Sequence, residues 1–111
     1  MHQYSLFIDD EREPPRNDGR NWIVARDWED VMMCLRIHGI PGYISFDHDL
    51  GEDKHTGYDI AKFLVDLDMG GDDDFALPED FDFYVHSQNP VGKLNIEKYL
   101  ENYMRIKTEN E

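Results

Sequence analysis

Four short apolar runs are separated by segments of helical period. Tyr4–Ile8, Trp22–Ala25 and Tyr43–Phe46 are nearly continuous in apolar residues, and Phe81–His86 alternates apolar with polar ones. Runs of this length suit strands of a parallel sheet covered on both faces. Between them, Trp28, Val31, Met32 and Leu35 recur at helical spacing behind Asp27. Asp27 is a predicted N-cap, with Glu29 and Asp30 in the first turn, and Gly39 and Pro41 stop the helix. Ile60, Phe63, Leu64 and Leu67 mark a second helix that ends at Gly70-Gly71. Ile96, Tyr99, Leu100, Tyr103 and Met104 mark a third, opened by Asn89-Pro90 as N-cap and first helical residue.

The remaining segments read as loops. Arg12–Asn21 holds Pro14, Pro15 and Gly19 and almost nothing apolar, and it is placed to cover whatever precedes it. Leu50–Gly57 is a polar loop, and Asp72-Asp73-Asp74 is a solvated turn that lacks the spacing of a calcium loop. Residues 1–107 are expected to form one domain, with 108–111 fraying.

Strand, loop, strand, helix, strand, helix, strand, helix is the order of a parallel α/β sheet, with helices expected on both faces. The doubly wound strand order 2-1-3-4 places the first and third strands side by side. Ligands of such sheets sit beyond the carboxyl ends of the strands. Asp9 and Asp10 follow the first strand, Asp47-His48-Asp49 the third, and His86-Ser87 the fourth.

Composition narrows the partners. The chain has 111 residues, 25 acids against 11 bases and a net charge of −14, so no extended nucleic-acid surface is expected. A small phosphorylated ligand or an RNA end remains accessible if a cation neutralises the local field. Cys34 is the sole cysteine and reads as a packing residue of a reducing compartment. No apolar run approaches a membrane span and the first residues carry no signal-peptide pattern, so a cytoplasmic protein without membrane contact is expected. His2, His38 and His55 are read as surface residues. The oligomeric state is open.

Three carboxylates meeting at one rim would repel, and a hard divalent cation, Mg²⁺ or Mn²⁺, resolves that repulsion. The expected metal ligands are Asp9, Asp10 and Asp47. His48 and His86 are candidates for proton transfer near neutral pH. A zinc site of both histidines with Asp49 is the alternative use. Arg12, Ser87, Asn89 and Lys93 are candidate phosphate contacts, helped by the free amides of a helix start after Asn89.

These residues resemble the receiver domain of two-component signalling. Asp9-Asp10 matches its metal-binding acids, Asp47 its phospho-acceptor and Ser87 its hydroxyl residue. The first helix is replaced by a loop, and the fifth strand with its lysine is absent. A closer resemblance carries those departures. Asp9-Asp10-Glu11-Arg12-Glu13-Pro14-Pro15, Ser45-Phe46-Asp47-His48-Asp49-Leu50-Gly51 and His86-Ser87-Gln88-Asn89-Pro90-Val91-Gly92 are similar to the cyclic-phosphate-processing receiver-like family. The resemblance spans nearly the whole chain. It implies a small receiver-like (flavodoxin-like) three-layer α/β sandwich of four strands and about three helices. It also implies bacterial or viral origin and a role in processing cyclic phosphates at RNA ends or in cyclic nucleotides.

Two functions follow as expectations. One is a metal-dependent phosphoesterase in which water attacks a cyclic phosphate, or in which Asp47 itself is the nucleophile. The other is a non-enzymatic receiver that binds a phosphorylated ligand or is switched by phosphorylation of Asp47.

Overall fold

The structure, a computed structural model, describes residues 4–109. His2, Asn110 and Glu111 lie outside the described residues. Four strands, β1 (Ser5–Ile8), β2 (Trp22–Ala25), β3 (Tyr43–Phe46) and β4 (Asp82–Val85), pair in parallel in the order β2-β1-β3-β4. Helices α1 (Trp28–His38), α2 (Gly57–Met69) and α3 (Pro90–Glu109) follow the second, third and fourth strands.

The helix ends form where side chains satisfy the free amides. Asp27 accepts from the Asp30 N–H, and Gly39 ends α1 at φ 79°, a conformation that favours glycine. Thr56 and Asp59 form a reciprocal capping box at the start of α2. Asn89 Oδ1 accepts from the Gly92 N–H at 3.0 Å and caps α3. The helix α3 continues through Thr108, whose hydroxyl donates to the Met104 carbonyl, and Glu109. The Asp72–Asp74 turn is a single exposed 3-10 turn with Asp72 as its cap.

All three helices pack on one face of the sheet. Leu6, Ile8, Ala25, Ile44, Phe46 and Val85 alternate toward that face and form one core with Val31, Leu35, Ile60, Leu64, Ile96 and Leu100. Right-handed crossovers explain this. The connections β2-α1-β3 and β3-α2-β4 step across the sheet in the same direction, so their helices share a side. Only the β1–β2 connection steps the other way, and it carries no helix. The expectation of helices on both faces is therefore corrected: the layer on the far face is the 10–21 segment. Phe7 and Ser45, buried on that face, lie under it. Cys34 is buried in the core beside α1's neighbours, as a packing residue. No described helix is long and apolar enough to cross a membrane.

Candidate functional site

Strand register builds the site. Ile8, Ala25, Phe46 and Val85 stand at one level across the sheet. The ladder runs one residue further, with Asp9 N–H donating to Ala25 O, Asp47 N–H to Ile8 O and His86 N–H to Phe46 O. The next residues, Asp9, Arg26, Asp47 and His86, thus line the carboxyl rim. By the period-two alternation of strands they turn toward the helix-free face, with Phe7, Val24, Ser45 and Tyr84.

Asp9, Asp47 and His86 each offer one ligand atom within 4.8 Å of the others. Asp9 is almost fully enclosed (1 % exposed). Its Oδ1 accepts the Glu11 and Arg12 N–H groups, both at 2.8 Å, and its Oδ2 lies 2.9 Å from His86 Nε2 and 3.1 Å from Arg12 Nε. Burial alone would raise this carboxyl, but the two amides, His86 and Arg12 outweigh burial and hold it below the ordinary carboxylate range. Asp47 goes the other way. Burial and the neighbouring Asp9 charge raise it, against the opposing pull of the Ser87 hydroxyl, His86 and Arg12. Two carboxylates this close are one positive charge short of comfort.

His86 is fixed at both nitrogens. Nδ1 stands 2.7 Å from Ser45 Oγ and the ring stacks on Phe7 at 4.7 Å and 3°. A ligating histidine is commonly held in this way through its other nitrogen. The donor set, two carboxylate oxygens and one imidazole, fits Mn²⁺ well and Mg²⁺ less closely, because imidazole suits the later divalent metals.

Arg12 bridges the two acids, with its NH2 3.9 Å from Asp47 Oδ2, and its side chain is half exposed. The loop carrying it is strapped by Arg26, which donates to the Asp9 and Arg12 carbonyls and to Glu13. Sequence reasoning missed Arg26. Its signal was its position, directly after β2 as Asp9, Asp47 and His86 directly follow theirs.

Asp10, His48, Asn89 and Lys93 stand apart from this group, whereas the Ser87 hydroxyl is bonded to Asp47. Asp10, expected as a third metal ligand, is not one of the three grouped residues, which are Asp9, Asp47 and His86. The Asp10 carboxylate lies against Gly51. His48, expected to share a phosphate with His86, packs against Gly92, where a Cβ would overlap its ring. Its Nδ1 bonds Asp49 at 2.9 Å, and Asn89 Nδ2 reaches Asp49 at 3.4 Å. Together they pin the start of α3 to the turn after β3. Asn89 is occupied as a cap, and the Ser87 hydroxyl accepts the Asn89 N–H at 3.1 Å. Lys93 lies 5.7 Å from the Tyr84 ring. His55, read as a surface residue, instead stacks on Trp28 at 4.2 Å, joined to α1 through Asp53.

A family model described as the cyclic-phosphate processing Receiver domain matches residues 4–102 of the 111. The chain belongs to that family. No curated protein and no solved structure matches it significantly. For this cyclic-phosphate-processing receiver domain, the match runs from the residue before β1 into α3 and so contains every residue of the cluster.

Proposed function

We propose that this domain is a metal-dependent phosphoesterase that opens cyclic phosphates. The observation that carries the reading is the enclosed Asp9–Asp47–His86 group at the carboxyl rim of β1, β3 and β4. Asp9, Asp47 and His86 would hold one divalent cation, Mn²⁺ or Mg²⁺. Such a cation polarises a phosphoryl oxygen and lowers the pKa of water.

The chain's own residues supply the rest. Between Asp9 Oδ2 and His86 Nε2 a proton must now sit, because both atoms otherwise present lone pairs. A cation held by Asp9 and His86 would take the place of that proton. Arg12, half exposed and tethered only by its own charge pairs, turns from Asp9 to a phosphate oxygen. Ser87 supplies a hydroxyl at the same rim. Water adds to phosphorus and one ring P–O bond breaks. The water gives up a proton, and the freed alkoxide takes one up to leave a phosphomonoester. His48, oriented by Asp49, serves here by positioning the start of α3.

The direct test is ³¹P NMR of a nucleoside 2′,3′-cyclic phosphate incubated with the protein and Mn²⁺ or Mg²⁺. Ring opening by the wild type, lost in Asp47→Asn and His86→Gln, is the expected result. A ring that stays closed with both metals, across cyclic substrates and pH, overturns the proposal. Asp47 also occupies the strand-end position of a receiver's phospho-acceptor, which favours a second reading as a phospho-switch. Mass spectrometry after acetyl phosphate treatment would then show a label on Asp47.

A further inference from the structure

The sheet ends at β4, whose outer edge pairs with no other strand among the described residues. The Asp82 and His86 amides donate inward, to Gly42 O and Phe46 O, so by alternation the Phe83 main chain faces outward. Its N–H is held by the carboxylate of its own neighbour, Asp82, at 2.8 Å. Two cavities of about 270 and 320 Å³ lie along this edge, between α3 and residues 77–85, and meet at Met104, which lines both. Leu77, Phe81, Phe83 and Met104 give this trough an apolar floor. Its acids are Glu79, Asp82, Glu97 and Glu101, and none of the four is in an ion pair among the described residues. The one base lining it, Lys107, is already paired with Asp68 at 3.0 Å. None of these residues belongs to the Asp9–Asp47–His86 group.

We propose that the trough binds an extended, lysine- or arginine-rich segment of a partner protein, which adds as a strand beside β4. In such additions the main chain of the edge supplies affinity and the side-chain sockets supply specificity. Lysine and arginine suit both features of the trough, with apolar stems on the Phe83–Met104 floor and charged ends at the acids. The incoming strand offers a carbonyl to the Phe83 N–H, and the Asp82 carboxylate so released pairs with a cation of that strand. A neutral strand has nothing to offer Asp82 in return, which protects the edge from indiscriminate pairing. A second copy of this chain is disfavoured, because it would set the same four acids against themselves.

The test is an ¹⁵N NMR titration of the whole chain, in EDTA, with the peptide acetyl-Lys-Val-Arg-Val-Lys-amide. The comparisons are an acidic counterpart with glutamate for each base and a version with proline for both valines, which cannot pair as a strand. The basic peptide should bind at least roughly ten-fold tighter than either, with the Phe83 amide among the most shifted. Glu97→Gln with Glu101→Gln should weaken binding roughly five-fold, the worth of two exposed charge pairs. Glu29→Gln with Glu52→Gln removes as much charge from the groove between α1 and the 50–53 turn and should leave binding nearly unchanged.

Equal affinity for the basic and acidic peptides, or an equal loss in the two double variants, overturns the proposal. So does a proline version that binds as tightly as its parent, or a set of shifts centred away from Phe83. A chain that sediments as a dimer, and is returned to a monomer by Phe83→Lys, also overturns it, because the edge then belongs to a second copy.

Discussion

Asp9 and Asp47 are neighbours of like chemistry with opposite shifts, and the difference is a matter of donors. Asp9 accepts two backbone amides, whereas Asp47 meets burial and a neighbouring charge. A carboxyl raised in the folded state binds more protons folded than unfolded. The cation-free protein therefore loses stability as pH rises from the ordinary carboxylate value through the raised one. Asp47→Asn should raise the melting temperature of the metal-free protein at neutral pH, with the gain vanishing on acidification below the ordinary range. It should also abolish Mn²⁺ binding, read by electron paramagnetic resonance. Asp9, held low, works in reverse: its contribution is complete above the ordinary value and is lost as pH falls through its depressed one. Arg12 occupies the ground a cation would take. Arg12→Ala should tighten Mn²⁺ binding while weakening phosphate binding roughly ten-fold, since a charged hydrogen bond to the anion is lost. Opposite signs in two titrations of one variant would be difficult to obtain from a general loss of structure.

Elements were legible where period and caps agreed. The strands and the apolar faces of the three helices follow from spacing alone, as do the caps at Asp27 and Asn89. The Thr56–Asp59 capping box was hidden because its first residue closes a polar loop. Asp68 is bonded by the Tyr103 hydroxyl and by Lys107, residues of α3 that local period cannot bring to it. Within the site, chain order identified the strand ends but not the direction of each side chain. Alternation separates Asp9, Asp47 and His86 from Asp10 and His48. Two glycines then show how tightly the elements meet. A Cβ on Gly92 would overlap the His48 ring, whereas one on Gly57 would overlap the Asp47 backbone carbonyl. Gly92→Ala should destabilise by about 1–3 kcal/mol in urea melts. Adding His48→Ala should recover part of that loss, because a side chain can be removed. Gly57→Ala should cost more, and His48→Ala should not relieve it, because the obstacle is main chain.

At the scale of the whole molecule, the question is whether Mn²⁺ would bind a site or merely an acidic surface. A net charge of −14 attracts divalent cations everywhere, including at the exposed Asp72–Asp74 turn. Diffuse attraction is screened within about 10 Å at ordinary ionic strength, whereas an enclosed group of two carboxylates and an imidazole is screened far less. Folding enters as well, because strands far apart in the chain bring Asp9, Asp47 and His86 together. Ligation should therefore stabilise the fold by mass action, about 2.7 kcal/mol at a hundred-fold excess over Kd. For a domain of this size, each kcal/mol corresponds to a melting shift of roughly 4 °C. Differential scanning calorimetry with added Mn²⁺ should show a rise of that order, reversed by EDTA and largely retained at high NaCl. Asp47→Asn removes one charge of many and should leave the diffuse component nearly intact while eliminating the salt-resistant rise. If the variant keeps the whole shift, or if NaCl removes it from the wild type, the cation is held by the molecule's field and not by its rim.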